Sequence, residues 1–398
     1  MRILPDSAFF LALTLITRVR AQCAATGPRK DCGYTGIEQS SCESQGCCYA
    51  PAPATTGAAL VTLPVCFYPN GGDSSYNLIT GLPASGTAQT GKLSSAASTL
   101  PQLGSDVTPL MLAIQHLTSD ILRVKIGGPG RWEVPFYLFN STQPAGCASP
   151  HGDASYTVET TSSPFSFTVA RKDGSDQDNR IFSIQGQRLI FKEQYIEVSS
   201  PIPASATLFG AGEHISATGL PLRRDGVPLT LWTRDSAAAN PDQNTYGAWP
   251  FLIDVREGGL THGVLMMNSN GMDIVITDSQ LSFRMTGGCI DLYFLMGPTP
   301  NAALEQLTSL VGRPMMPPYW SLGLMQSKYG YSSVQQLQRV VDSYAYHQIP
   351  LETMVTDTNY MLADQDFTIS PDFQPLDTQI AGELANIYTS REVVDAER

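Results

Sequence analysis

The 398-residue chain exceeds the roughly 100 to 200 residues of an ordinary single domain, so two or three domains are expected. It carries 24 basic and 36 acidic residues, a formal net charge of −12, with no run of lysine or arginine. An acidic surface repels phosphate backbones and anionic lipids, which disfavours a nucleic-acid partner or a membrane-surface role and leaves a neutral partner such as a sugar unaffected.

Residues 1–21 are predicted to be a signal peptide. Arg2 precedes an apolar stretch, Ala8 to Ile16, that is too short to span a bilayer, and small residues at Val19 and Ala21 permit cleavage after Ala21. A buried N-terminal helix is the alternative. Because no other segment has the ~20 continuous apolar residues of a transmembrane helix, no transmembrane span is expected.

The next region holds six of the eight cysteines, between positions 23 and 66. An even number of cysteines in a short stretch behind a signal peptide indicates a disulfide framework. Zinc binding is the alternative, but the adjacent pair Cys47-Cys48 does not match Cys-x-x-Cys spacing, and no histidine lies between Cys23 and Cys66. Spacing alone does not choose among the possible disulfide connectivities.

Residues 22–70 resemble the trefoil (P-type) domain. The matching segments are Arg29–Gly33 (RKDCG), Gly46–Tyr49 (GCCY) and Cys66–Pro69 (CFYP), in that order. The resemblance implies the disulfides Cys23 with Cys48, Cys32 with Cys47, and Cys42 with Cys66. The loop Ala50 to Pro64 is longer than the family pattern. Two roles remain open for this domain: it binds glycans directly, or it is a disulfide-linked spacer.

Residues 71–108 are predicted to be a linker or an irregular surface strand rather than part of a core, because Asn70 to Ser98 is rich in Gly, Ser, Thr and Ala. Within it, Gly86–Lys92 (GTAQTGK) copies most of a phosphate-binding loop, but Leu93 stands where the Ser/Thr magnesium ligand belongs. Nucleotide binding is therefore not expected, and no cofactor is predicted.

Residues 109–298 are predicted to form an antiparallel β-sandwich. Apolar and polar residues alternate in short segments, as at Leu122, Val124 and Ile126, and the segments are separated by Gly, Pro, Asn and Asp. The tripeptide Asn140-Ser141-Thr142 is a glycosylation acceptor, which fits the secretory route.

The pattern changes after residue 298. A connecting helix is predicted in 299–315, with Thr299 as its cap, Gly312 at its end, and Leu304, Leu307 and Val311 on its inner face. Residues 316–398 then predict a strand at Trp320–Gln326, a helix at Ser333–Tyr346 and a parallel strand at Leu351–Thr356. This unit could open a (β/α)₈ barrel, but only about 80 residues follow Met315, against roughly 250 in a complete barrel.

Between about Leu122 and Thr368 the chain resembles glycoside hydrolase family 31, which includes lysosomal-type α-glucosidase, maltase-glucoamylase and sucrase-isomaltase. Several members also carry a trefoil domain. The matching stretches, in family order, are Phe209–His214 (FGAGEH), Leu231–Asp235 (LWTRD), Asn244–Gly247 (NTYG), His262–Val264 with Asn268–Asp273 (HGV, NSNGMD), Gly297–Pro300 (GPTP), Gly312–Pro314 (GRP) and Pro318–Trp320 (PYW).

The fold that the resemblance implies is a trefoil, then a mutarotase-like β-sandwich, then the first βαβ unit of a barrel. The implied partner is an α-glucoside or oligosaccharide substrate, and the implied location is secreted or in the secretory, lysosomal or vacuolar lumen. Retaining glycosidases use two carboxylates about 5 to 5.5 Å apart. In the family both are aspartates of later barrel strands, and no segment after Tyr360 resembles them. We therefore assign no catalytic residue and expect a C-terminally truncated chain that is inactive by itself.

Two aspartates are candidate substrate contacts. Asp357 follows the second predicted barrel strand, where barrel enzymes place site residues, and the matching family aspartate accepts hydrogen bonds from sugar hydroxyls. Asp235 matches an aspartate that reaches from the sandwich into the sugar pocket. The alternative for both is a solvated loop carboxylate or a helix cap. Val355 and Asn359 depart from the family pattern beside Asp357.

The remaining motifs favour no metal site, because the five histidines are scattered without metal-ligand spacing. His214 and His262 are expected to be structural. Whether Cys147 pairs with Cys289 stays open, as does the oligomeric state. A secreted, non-catalytic carbohydrate-binding or interaction protein is the alternative to a hydrolase.

Overall fold

The computed structural model describes residues 37–44, 47–50, 65–67, 75–82, 88–97, 103–135, 154–172, 179–185, 189–234 and 241–374. The chain divides into two compact units, Met1–Arg313 and Pro314–Arg398. Several predicted features lie outside the described residues: the signal peptide, Cys23, Cys32, Asn140, Cys147 and Asp235.

The described part of the predicted trefoil region forms a short helix and a two-stranded ribbon. Helix α1 spans Gln39–Ser44, and strand β1 (Cys48–Tyr49) pairs antiparallel with β2 (Cys66–Phe67). Such small elements cannot bury enough apolar surface to hold themselves together without covalent links.

Those links are disulfides. Cys42 and Cys66 are bonded, with their Cα atoms 5.8 Å apart, and this is one of the three pairs that the trefoil resemblance implies. Cys47 and Cys48 are disulfide-bonded as well, and their implied partners lie outside the described residues. A small core of this region consists of Ile37, Cys42, Cys47 and Cys66.

Among the described residues of the first unit, antiparallel strands make up most of the regular secondary structure. Its strands are, in chain order, β3 (Ser75–Leu78), β4 (Ala88–Ala97), β5 (Leu110–His116), β6 (Ile121–Gly127), β7 (Tyr156–Ser162), β8 (Phe165–Arg171), β9 (Arg180–Ser183), β10 (Leu189–Phe191), β11 (Ile196–Pro201), β12 (Thr207–Gly210), β13 (Leu229–Leu231), β14 (Phe251–Val255), β15 (Thr261–Met266), β16 (Met272–Ile276), β17 (Gln280–Met285) and β18 (Ile290–Leu295).

Among the described residues these strands form three sheets. The largest has the order β12-β14-β15-β18-β6-β5-β4-β3, a second has the order β10-β11-β17-β16-β13, and the third is β7-β8-β9. The sheets share one apolar core, to which each contributes alternate residues, for example Val124, Phe167 and Phe283. The predicted sandwich is therefore present, and its loops are held on a rigid frame.

Of the two alternatives for residues 71–108, the linker is wrong and the strand is partly correct, because part of this stretch belongs to the largest sheet. β3 and β4 pair antiparallel at one edge of that sheet, and β4 pairs with β5. Tyr76 and Leu93 are fully buried in the core. Small residues obscured the strand in the sequence, since only Leu93 marks its inner face. The resemblance of Gly86–Lys92 to a phosphate-binding loop does not extend to the structure. Gly91 and Lys92 lie within a β-strand rather than in a loop before a helix.

Helix α2 spans Pro300–Val311 and packs on the sandwich. Thr299 caps it by accepting a hydrogen bond from the Ala302 amide, and Gly312 ends it, as the sequence predicts. The inner face differs from the prediction. Leu307 is buried against the sandwich, but Leu304 is 42% exposed and Ala303 takes the buried position. A close approach to the sheet favours the small side chain.

The second unit contains a parallel β-α-β arrangement. β19 (Met325–Ser327) and β20 (Thr353–Val355) pair in parallel, and helix α3 (Val334–Tyr346) connects them. Ser333 caps α3 by accepting from the Gln336 amide. The parallel pair was predicted, but residues 319–322 form a turn of 3₁₀-helix rather than the start of a strand. Tyr331, Val334, Leu337 and Phe373 form the small core of this unit.

Candidate functional site

Two of the sequence motifs meet in one loop cluster of the sandwich unit. The segment after β12, which contains Glu213, pairs with the segment that contains Asn244 through a β-bridge between His214 and Asn244. The Thr245 amide donates to the Glu213 carbonyl at 2.9 Å, and the Glu213 amide donates to the Gly247 carbonyl at 2.9 Å. The FGAGEH and NTYG motifs are therefore two halves of the same local structure.

The Glu213 carboxylate holds this loop cluster together. Its Oε2 accepts from the Thr245 hydroxyl at 2.7 Å and from the Tyr246 and Gly247 amides at 2.9 Å each. The Thr245 hydroxyl, followed by the two amides, lowers the pKa of Glu213 below its ordinary value. A carboxylate held ionised in this way suits anchoring a loop and is unsuited to general acid catalysis.

Replacing Glu213 by Gln should give a pH-dependent loss of stability. The pKa of Glu213 is lowered in the folded state, so its stabilisation is fully present above the ordinary value of 4.5 and is lost as pH falls through the lowered pKa. Urea unfolding of both proteins between about pH 3 and pH 7 measures the difference. We expect the wild type to have the larger free energy of unfolding at neutral pH, and the difference from Glu213→Gln to disappear at the acid end.

Glu257→Gln is the matched control, since Glu257 is an exposed carboxylate elsewhere on the sandwich. It reports the effect of removing one negative charge. If the difference in free energy of unfolding between wild type and Glu213→Gln stays constant down to the acid end, the hydrogen bonds to Oε2 do not stabilise the loop.

Asn244 supports the loop cluster from inside. It is buried, and its Nδ2 donates to the Glu213 carbonyl at 2.9 Å and to the Gly247 carbonyl at 2.7 Å. The surrounding segments leave large aromatic side chains at the surface: Trp232, Tyr246 and Trp249 are all exposed. Exposed aromatic faces of this kind stack on the apolar faces of sugars and other flat groups.

Gly271 positions one of these aromatic rings. A Cβ atom at Gly271 would lie 2.5 Å from Cε3 and 2.6 Å from Cζ3 of Trp232, so the indole lies directly over this glycine. Gly271 belongs to the NSNGMD motif, and Trp232 to the LWTRD motif. Their contact explains why a glycine is needed at this position of the motif.

Gly271→Ala should therefore displace the Trp232 indole. Because Trp232 is half-exposed, we expect the ring to swing outward, with a destabilisation of about 1 kcal/mol at most. Tryptophan fluorescence, assigned with a Trp232→Phe variant, should shift toward the spectrum of a fully hydrated indole. Gly81→Ala is the matched control, since a Cβ there meets nothing within 4 Å. Identical spectra for the two alanine variants would rule out the contact.

Asn268 and Asn270 of the NSNGMD motif form a local hydrogen-bond network. The buried Nδ2 of Asn268 donates to the carbonyls of Gly287 and Cys289 at 2.8 and 2.9 Å, and its Oδ1 accepts from the Asn270 amide at 2.8 Å. The side chain thus ties two loops together. Cys289 is a buried free thiol.

His262 is structural, as expected from the sequence. It is buried beside Asp254 and Arg256, and Arg256 donates to both oxygens of the Asp254 carboxylate at 2.7 and 2.9 Å. Burial lowers the pKa of His262 to about 3, so the ring is uncharged at neutral and mildly acidic pH. Within the described residues, no group of three or more His, Cys, Asp or Glu side chains is placed to hold a metal ion.

Asp357 lies at the carboxyl end of β20 in the second unit, and its backbone is strained. Its φ of 57° and ψ of −165° fall in a region that is essentially restricted to glycine. Its Oδ1 accepts from the Thr358 amide at 2.7 Å. Strained non-glycine residues of this kind cluster at binding and catalytic sites, because surrounding structure must hold them there.

The loops that follow the two parallel strands are tied together beside Asp357. The Gly330 amide, in the loop after β19, donates to Oδ1 of Asn359 at 2.6 Å. Asn359 departs from the family pattern, in which a second aspartate is common, and here its amide side chain anchors the neighbouring loop. Asp235, the other predicted contact, lies outside the described residues.

Sequence reasoning missed Glu213, Thr245 and Gly271 as individual residues. They were visible only as members of motifs, since their contacts join segments that are distant in the chain. Within the described part of the chain, no helix has the length and apolar character needed to cross a membrane.

Comparison with family models divides the chain into three matched parts. Residues 22–69 match the trefoil (P-type) domain, residues 111–274 match the glycosyl hydrolase 31 N-terminal galactose mutarotase-like domain, and residues 314–390 match the glycosyl hydrolases family 31 TIM-barrel domain. These matches occur in the order that the sequence motifs predict.

Similar proteins cover most of the chain. A probable alpha-glucosidase of Oryza sativa subsp. japonica is 38% identical in an alignment of 353 positions that covers 82% of this chain and 39% of that protein. The lysosomal alpha-glucosidase of Mus musculus is 35% identical over 348 residues, 86% of this chain and 35% of that protein.

A solved structure of a glucosidase II alpha subunit, in its alpha3-Glc2-bound form, matches with a TM-score of 0.61 at 16% identity. The match covers 79% of this chain and 42% of that chain, and at this identity it shows the fold alone. This chain thus spans less than half the length of each of these similar proteins.

Proposed function

This chain belongs to glycoside hydrolase family 31, and from that premise we propose that it forms the N-terminal, substrate-contacting part of a retaining hydrolase of α-linked glucosides. The observation that carries the proposal is Asp357, a strained aspartate at the carboxyl end of a parallel strand in the segment matched by the family's barrel model. Barrel enzymes place their site residues at this end of the strands.

Asp357 would hold sugar hydroxyls rather than attack the sugar. An ionised carboxylate accepts strong, charge-assisted hydrogen bonds from neighbouring hydroxyl groups. A fixed backbone conformation keeps the carboxylate where the sugar arrives, so less conformational freedom is lost on binding. Asp235 is proposed as a second contact of the same kind, on the strength of the family pattern alone.

The chemistry itself requires a nucleophile and an acid/base about 5 to 5.5 Å apart. The family pattern assigns both roles to aspartates of later barrel strands, and neither Asp235 nor Asp357 matches those positions. The residues of this chain therefore contribute binding and orientation to the reaction.

Binding without hydrolysis is the second candidate function. The exposed aromatic side chains Trp232, Tyr246 and Trp249 of the sandwich favour it, because such rings bind sugars without any catalytic group. A trefoil domain in the same chain is compatible with this function.

The proposed location is the secretory route or the lysosomal lumen. The disulfide between Cys42 and Cys66 supports an oxidising compartment, and one of the similar proteins is named lysosomal alpha-glucosidase. The signal peptide at 1–21 and glycosylation at Asn140 belong to the same proposal.

Hydrolysis by the native protein tests this function. The protein would be isolated from the organism that makes it, identified by peptides from residues 103–374, and assayed on maltose and an aryl α-glucoside. We expect hydrolysis with α-glucose as the first anomer seen by NMR, because the reaction retains configuration. Sugar binding with no hydrolysis would favour the second candidate, and β-glucose as the first product would contradict the retaining mechanism.

A further inference from the structure

The strained backbone of Asp357 is held from both sides. A residue in such a conformation persists only when the surrounding structure fixes it. On one side, Val355 ends β20 and is the register partner of Ser327, the last residue of β19. On the other side, a turn of 3₁₀-helix spans Thr358–Tyr360, and Tyr360 packs against the small core of the second unit. Asp357 therefore lies between a paired strand and an anchored turn.

Asn359 lies in the middle of that turn and contacts the other loop at the same end of the two strands. Its Oδ1 accepts from the Gly330 amide at 2.6 Å. Gly330 lies three residues after the end of β19 and has a φ of 100°, a conformation that favours glycine. The hydrogen bond thus joins the loop after β19 to the turn that follows Asp357.

Both partners of this hydrogen bond are fixed by their neighbours in the chain. Gly330 directly precedes Tyr331, which is buried, and Asn359 directly precedes Tyr360. The two tyrosine side chains belong to the same small core or pack against it. The Tyr331 hydroxyl also accepts from Nε2 of Gln326, a residue of β19. The donor and the acceptor are therefore brought together by the fold, with little conformational freedom left to lose.

The contact uses only the acceptor oxygen of Asn359. An aspartate carries the same acceptor at Oδ1 and has nearly the same shape, and a second aspartate is common at this position of the family pattern. A leucine has a similar size and no acceptor. If the hydrogen bond is what matters at this position, Asp can replace Asn359 and Leu cannot.

We propose that Asn359 is a positioning residue for sugar binding. It fixes the loop after β19 against the turn after β20 and so keeps Asp357 in its strained conformation. This inference rests on the proposed function, because Asp357 is the sugar contact proposed there. Asn359 acts through Asp357, so its loss should matter only while the Asp357 carboxylate is present to be positioned.

Hydrogen exchange of the Gly330 amide in the native protein tests the contact itself. Fragmentation mass spectrometry reads the exchange at this single residue. Asn359→Leu removes the acceptor and should speed the exchange about threefold to tenfold, the factor expected for one lost hydrogen bond. Asn359→Asp keeps the acceptor and should stay within about twofold of wild type. Gln335→Leu, which removes an exposed amide side chain from α3, is the matched control and should leave the rate unchanged.

Hydrolysis of maltose by the native protein tests whether Asn359 acts through Asp357. Asn359→Leu should lower kcat/KM about threefold to tenfold, and Asn359→Asp should stay within about twofold of wild type. In the Asp357→Asn background, Asn359→Leu should change kcat/KM less than about twofold, because the contact that Asn359 positions is already lost. A merely structural role would give the same loss in both backgrounds.

Three results would each overturn the proposal: unchanged Gly330 exchange in Asn359→Leu, equal losses of kcat/KM in the two backgrounds, or a loss in Asn359→Asp as large as in Asn359→Leu. A native protein that hydrolyses no α-glucoside would contradict the proposed function instead. The Gly330 exchange does not depend on hydrolysis, so it would still decide whether Asn359 joins the two loops.

Discussion

A polypeptide of these 398 residues, purified by itself, is expected to hydrolyse neither maltose nor an aryl α-glucoside above background. The resemblance to family 31 places the nucleophile and the acid/base at positions that no residue of the chain matches. General acid catalysis alone contributes about 10²- to 10⁴-fold in rate, and loss of the nucleophile removes the covalent route as well.

The sugar contact proposed for Asp357 cannot replace a nucleophile or an acid/base. Interactions that hold sugar hydroxyls bind the ground state and the transition state alike, and so leave the chemical barrier almost unchanged. The measurement is glucose release by the purified polypeptide, whose mass is verified and whose folding is checked by circular dichroism. Turnover that disappears on Asp357→Ala would contradict this expectation and show that the catalytic machinery lies within these residues.

Asp106→Asn is expected to destabilise the sandwich by about 3 to 5 kcal/mol. The Lys192 side chain is completely buried, and its Nζ lies 2.8 Å from Oδ1 of Asp106 and 2.8 Å from the Gly104 carbonyl. Ser95 donates to the other carboxylate oxygen at 2.8 Å. Without the Asp106 carboxylate, the buried Lys192 ammonium group has no negative charge beside it. Leaving a buried charge unpaired costs far more stability than breaking an exposed ion pair.

Urea unfolding measures this effect through the shift of the transition midpoint at constant slope. Glu133→Gln is the matched control, because Glu133 pairs with Lys125 at the surface and its loss should cost less than about 1 kcal/mol. The double variant Asp106→Leu/Lys192→Met should recover much of the loss, since apolar groups of similar volume replace the pair. A cost below about 1 kcal/mol for Asp106→Asn would show that the pair does not stabilise the fold.

The sequence was most informative where local chemistry decides the structure. Thr299, Pro300 and Gly312 mark the ends of α2 without any tertiary information, and alternation at Leu122, Val124 and Ile126 marks β6. The inner face of α2 was less predictable, because the sheet beneath it favours Ala303 over Leu304. That preference depends on how closely two elements approach.

Long-range contacts account for most of what sequence patterns could not reveal. β4 is rich in small residues and resembled a linker, yet it is held in a sheet by hydrogen bonds to β3 and β5. Glu213 and Thr245 are 32 residues apart, and Asn244 also reaches the Glu213 carbonyl from a distant segment. The motifs indicated which segments matter, but the partners of each side chain depend on contacts between distant parts of the chain.

Replacing Asp357 by Asn in the native protein tests the proposed sugar contact most directly. The matched control is Asp342→Asn, an exposed aspartate of α3 in the same unit whose carboxylate accepts from Gln338. Loss of a charge-assisted hydrogen bond to substrate should lower kcat/KM on maltose about 10- to 100-fold for Asp357→Asn, while Asp342→Asn stays within about twofold of wild type. Equal kcat/KM for the two variants would contradict a role for Asp357 in binding the sugar.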